Sequence, residues 1–172
     1  MARLSVAVRP PAAVVGLLAA LERPALPGVR WSVPEQWLVK LRPLGHVDER
    51  LVPALRDALA AELDGAPAVA CRLGPVTRRL GGQWLGVPVH GLDELAAVVF
   101  EATEELVPVT HPQPFRADLV LARGRVPGEL AGRPLTGSWT ARSVSLVADR
   151  SAPGVPRFED LAAFPLEGPG PG

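Results

Sequence analysis

Two short segments about half a chain apart share one character: Trp37-Leu38-Val39-Lys40-Leu41-Arg42 and Asp118-Leu119-Val120-Leu121-Ala122-Arg123. Both are mainly apolar, both end on arginine, and both follow a proline-containing stretch. Apolar runs of this length bounded by turn residues read as strands. A similar strand at an equivalent point in each half predicts two lobes related by pseudo-two-fold symmetry.

The remaining sequence supplies elements around these strands. Residues 4–9 alternate as a strand, and the apolar run 12–22 after Pro10-Pro11 predicts a helix. Val29 to Ser32 is extended, 37–44 is the first motif strand, and 48–63 is an amphipathic helix. Asp48 is its expected N-cap and Pro53 lies in its first turn. Short strands at 69–73 and 83–89 flank the Gly81-Gly82 turn, and 92–106 forms a third helix. A proline-rich connector, 107–116, leads to the second motif strand, 118–123, and a Gly/Pro loop follows over 124–134. Segments 140–149 and 157–165 face each other across Pro153-Gly154, and the Gly/Pro tail 167–172 is expected to be disordered. The order is β-α-β-β-α, β-β-α, β-β-β. Long crossovers between strands point to an α+β fold rather than a sandwich.

Composition narrows the chemistry. With 48% hydrophobic and 21% charged residues the chain is globular in character, and 18 basic residues balance 18 acidic ones. No overall basic field draws nucleic acid, so tight RNA binding is not expected and any nucleotide-directed role rests on a local cleft. Cys71 is alone, which excludes an internal disulfide framework. The apolar opening stops at Pro10-Pro11, too short for a leader or a span, so a cytoplasmic location is expected. Isoleucine, asparagine and tyrosine are absent, and Lys40 is the single lysine beside 17 arginines. The depleted types share AT-rich codons, which points to a high-GC bacterial genome.

The two strands also carry a family resemblance. Glu35-Gln36-Trp37-Leu38-Val39-Lys40-Leu41-Arg42-Pro43-Leu44-Gly45 and Phe115-Arg116-Ala117-Asp118-Leu119-Val120-Leu121-Ala122-Arg123 resemble the two His-x-Thr motif strands of the 2H phosphoesterase superfamily. The similarity is to the RNA 2′,3′-cyclic phosphodiesterase branch, often called 2′-5′ RNA ligase. The opening strand, its proline-led helix and the segment Pro156 to Leu166 fit as well, so the resemblance spans residues 3–166. It implies one bilobal domain over 1–166, with mixed or antiparallel sheets, helices outside and a central cleft. The departures fall on the motifs. Leu38 and Asp118 replace the histidines; Lys40 and Val120 replace the threonines. Opening a cyclic phosphate needs one group to accept a proton and another to donate one, and each is worth roughly 10²–10⁴-fold. Leucine cannot titrate, valine cannot hydrogen-bond a phosphoryl oxygen, and a carboxylate facing a phosphate is repulsive. The resemblance therefore implies an inactive relative, with no cofactor.

Strand alternation places Leu38, Lys40 and Arg42 on one face, and Asp118 and Val120 on one face of the other strand. Lys40 and Asp118 are then expected to meet across the cleft, either as a neutralising pair or beside an anionic ligand. Lys40, Arg42, Asp118, Arg123 and Trp37 are the ligand-binding candidates, for a nucleotide or a phosphorylated small molecule. Arg123 has the wrong parity for the cleft unless its strand bulges. Relocated chemistry through Lys40, Asp118 and His46, and a purely structural role with a protein partner or a homodimer, are the alternatives. His46, His90 and His111 form no ligand cluster with Cys71 or the carboxylates, so no metal site is expected. Arg78-Arg79 reads as a solvated turn and Cys71 as a small buried hydrophobe.

Overall fold

Alternation at the start of the chain builds the first sheet. In the computed structural model, which describes residues 1–167, β1 (Ala2–Val8) buries Leu4, Val6 and Val8 on one face and turns Arg3 outward. It lies between β3 (Val39–Val47) and β9 (Ser143–Asp149), and β10 (Phe158–Pro165) completes the antiparallel order β10-β9-β1-β3. The second sheet runs β2-β7-β6-β4-β8, with β5 on β6. Its strands are β2 (Val29–Trp31), β4 (Val69–Leu73), β5 (Arg78–Leu80), β6 (Trp84–His90), β7 (Asp118–Gly124) and β8 (Gly137–Ala141). Every pairing between these strands is antiparallel. The sheets meet where β3 touches β7.

Three helices cover the outer faces. Helix α2 (Val52–Leu63) buries Leu55, Leu59 and Leu63, a four-residue spacing that makes one apolar stripe. A short 3₁₀ turn, Glu49–Leu51, precedes it, and the Asp48 carboxylate accepts from the Arg50 amide at 3.0 Å. Pro53 sits in the first turn, where its missing N–H costs nothing. Helix α3 (Asp93–Thr103) packs on α2 and β3, and α2 also rests on β10. Helix α1 (Ala12–Ala20) covers β8. One continuous apolar core joins both sheets to all three helices. Among the described residues, no helix is long and apolar enough to cross a membrane. Of the tail expected to be disordered, residues 168–172 lie outside the described residues; the Glu167 amide bonds the Ala66 carbonyl.

Three expectations need correction. The segment 140–149 is two strands, because the chain leaves one sheet at Ala141 and joins the other at Ser143. The break falls at two consecutive exposed residues, Arg142 and Ser143, a polar pair too short to mark a strand end in the sequence. Arg78-Arg79 is not a turn but the start of β5, hairpinned to β6 through Gly81 and Gly82, both at positive φ. Arg42 does not share a face with Lys40. Leu41 has no partner between the pairs Ala7–Lys40 and Val6–Arg42, so a bulge reverses the parity of β3.

Arg42 consequently enters the interior. Its guanidinium donates to the Thr103 hydroxyl at 2.6 Å and to the Val107 carbonyl, with its carbon 5.2 Å from the centre of the Phe100 ring. Burial lowers its pKa, against an opposing pull from Glu104. A cation beside the last carbonyls of α3 also suits the helix dipole. Thr103→Val strands a charged donor and should cost about 1.5–3 kcal/mol. Adding Arg42→Met should recover part of that loss, because it removes the stranded charge. Urea unfolding of the two variants and the parent checks both statements.

Cys71 is buried, and burial pushes its thiol up to about 11 from 9.0. The unfolded thiol ionises first, so its contribution to stability is intact below pH 9 and is lost as pH rises through about 11. At mildly alkaline pH the folded chain should carry about 100-fold less thiolate than the unfolded chain. Alkylation rates in buffer and in urea should differ by at least that factor.

Candidate functional site

The motif strands present two walls where the sheets meet. Lys40 of β3 shares a face with Arg3, Ser5 and Ala7 of β1 and with Val147 and Asp149 of β9, as the strand pairings require, and Leu38, just before β3, packs on the same side. Ala7, Leu38 and Val147 are buried and form an apolar floor with Phe158. Arg3, Ser5, Lys40 and Asp149 rim a small recess above it. Leu38 is thus part of a hydrophobic patch.

Charge on this wall balances locally. Desolvation pulls the pKa of Lys40 below its ordinary value, Arg3 adds to the effect, and Asp149 opposes it. Burial alone would raise Asp149, but hydrogen bonds from Ser151, with Arg3 and Lys40 nearby, hold its carboxyl below the usual range. The Ser151 amide donates to Asp149 at 2.9 Å. Lys40 is therefore grouped with Arg3 and Asp149.

On the second wall Asp118 has its own partner. Arg78 of β5 donates through Nε and Nη2 to Oδ1, at 3.0 and 2.9 Å, and through Nη2 to Oδ2 at 3.0 Å. The Asp118 side chain is only 9% exposed and that of Arg78 is 41% exposed, so the pair is anchored at the carboxylate end. Gly86 stands between them: it is the β6 partner of both Arg78 and Val120. A Cβ there would lie 3.6 Å from the Asp118 Cβ and 2.8 Å from Leu80, so the bare backbone lets the guanidinium cross. The expected Lys40–Asp118 pair is replaced by Arg78–Asp118, because a neighbouring strand supplies a bidentate partner first.

Arg123 joins this wall through a second bulge. Leu121 has no partner between Val120–Gly86 and Ala122–Leu85, so Arg123 returns to the face of Asp118 and Val120. It is exposed and pairs with Trp84 on one side and Arg30 on the other. Sequence reasoning missed Trp84, Arg30, Arg78, Arg3 and Asp149. The alternation of Val29-Arg30-Trp31 was the one signal for Arg30.

The other candidates lie elsewhere. Trp37 is 2% exposed, its indole N–H has no partner, and Arg23 lies 5.9 Å from its ring centre. It packs the core, while Trp84, at 42%, is the tryptophan open to solvent on the second wall. His46 pairs with Arg3 and so shares the face of Lys40. The β1 partners of the two, Arg3 and Ala7, set them about 13 Å apart along the strand, beyond hydrogen-bond reach. His90 Nε2 is 3.1 Å from the Gly74 carbonyl, at the far end of β6. Lys40, Asp118 and His46 are not assembled into one group. Among the described residues, no three His, Cys, Asp or Glu side chains are placed to hold a metal ion.

No family model and no curated protein matches the chain. Solved structures do. TT0787 of Thermus thermophilus is similar at TM-score 0.80 and 23% identity, over 95% of this chain and 97% of that one. LigT of E. coli, in a crystal with 3′-AMP, gives TM-score 0.81 and 21% identity over 96% and 98%. A crystal structure described as a phosphoesterase gives 0.78 and 22% over 96% and 99%. At these identities the likeness is one of architecture, and the chain has the α+β fold of the 2H phosphoesterases.

Proposed function

We propose that this chain is a non-catalytic relative of the cyclic phosphodiesterases whose cleft binds a nucleotide-like or phosphorylated ligand without turning it over. The observation that carries the reading is the state of the two motif positions. Leu38 lies in an apolar patch and Asp118 is clamped by Arg78. Neither wall holds an imidazole at the junction of β3 and β7. Without a group to take a proton from water and one to return it to the leaving oxygen, the in-line opening of a cyclic phosphate lacks both halves of its acid–base pair.

What survives suits binding. Arg123 and Arg30 are exposed beside Trp84, which combines cations for a phosphate with an aromatic face for a base. LigT has been crystallised with 3′-AMP, NADP+, ATP and phosphate. A fold that accommodates such ligands supports the same ligand class here. The reading also explains Arg78, since a carboxylate left bare on this wall would repel the anion.

Titration calorimetry with 3′-AMP and ATP should show binding that weakens about tenfold or more in Arg123→Ala, because an arginine–phosphate contact is charge-assisted. The parent should not hydrolyse 2′,3′-cyclic AMP above background. Replacing Leu38→His, Lys40→Thr, Asp118→His and Val120→Thr together should raise turnover by at least about 100-fold. Turnover by the parent, or no binding of any of these nucleotides, would refute the proposal.

A further inference from the structure

Lys40 is the single lysine in a chain that uses arginine 17 times. Arginine supplies every other long cation, so charge alone does not explain a lysine at this position. What an ammonium offers and a guanidinium does not is the ability to shed its proton and become a nucleophile. The surroundings favour that form. Leu38, Val147 and Phe158 make the recess apolar, and Arg3 places a second cation beside the amine. A hydrophobic setting and a neighbouring cation are the two devices that activate lysine amines. Lys40 also remains open to solvent, so a ligand can reach it.

We infer that Lys40 is an amine-reactive site that condenses with a small aldehyde or ketone bearing an anionic group. The Nζ lone pair attacks the carbonyl carbon, a C–N bond forms, and the carbonyl oxygen takes up a proton to give a carbinolamine. Loss of that hydroxyl as water gives the imine, so amine plus carbonyl yields imine plus one water, with no oxidant or reductant. Asp149 rims the recess with its carboxyl held ionised, and solvent at the open face takes the amine's proton and returns one to the departing hydroxyl. Arg3, on the same rim, supplies the charge that would hold the ligand's phosphate or carboxylate. The recess itself, about 10 Å³, has room for roughly one water-sized group, which fits the leaving hydroxyl and leaves the rest of the ligand on the open face. His46, the other titratable group on this face of β3, is too distant to take part.

The test uses the full chain and glyceraldehyde 3-phosphate, with borohydride to fix any imine and peptide mass spectrometry to locate it. Arg56→Lys adds an ordinary amine at an exposed helical position of the same chain as an internal standard. Lys40 should be labelled about tenfold faster than the introduced amine at neutral pH. It should also react several-fold faster with glyceraldehyde 3-phosphate than with glyceraldehyde, a preference that Arg3→Gln removes. Lys40→Arg should leave only the amino terminus labelled. Equal rates for the two side-chain amines, or label confined to the amino terminus, would overturn the inference. Equal rates for the charged and neutral aldehydes would overturn the assigned ligand class. The labelling does not require nucleotide binding, so its failure is distinguishable from failure of the function proposed above.

Discussion

A bulge at the same place in each motif strand governs the site. Leu41 in β3 and Leu121 in β7 both lack a cross-strand partner, and each lies three positions after a motif residue, Leu38 or Asp118. At each bulge two consecutive residues are buried, Leu41 with Arg42 and Leu121 with Ala122, and the extra residue reverses the parity beyond it. Arg42 is thereby committed to the interior and Arg123 to the open face.

The equivalence of the two bulges gives physical content to the repeat between the halves. Leu38 and Asp118, Lys40 and Val120, Leu41 and Leu121, and Arg42 and Ala122 occupy corresponding places on their strands. The backbone course of the two strands is matched while the side chains on them differ. One wall has become apolar around Leu38; the other has become an ion pair around Asp118.

Electrostatics divides the walls further. Asp118 is fully engaged by a neighbouring strand, and Arg30 and Arg123 stand exposed beside it on that side. On the other side, Lys40 shares Asp149 with Arg3, which leaves two cations around one carboxylate. Both walls thus carry a local positive excess although the whole chain is neutral. The balance of 18 against 18 conceals a placement that only folding creates.

The amino-acid sequence by itself pointed to the α+β class, to helices at 12–22, 48–63 and 92–106, to the two motif strands and to the absence of histidine at Leu38 and Asp118. Local periodicity, proline placement and residue identity are enough for these, because each depends on neighbours a few positions away. It did not determine which strands pair, so it missed the change of sheet at Arg142 and the strand at Arg78. It matched Lys40 to Asp118 on parity that the bulge at Leu41 leaves intact, yet Arg78 reaches that carboxylate first. The bulges, the Arg42–Thr103 contact and the Arg78–Asp118 clamp arise between residues 33 or more positions apart. Only tertiary structure decides such contacts, because packing of the shared core, and not local pattern, fixes which face each side chain must take.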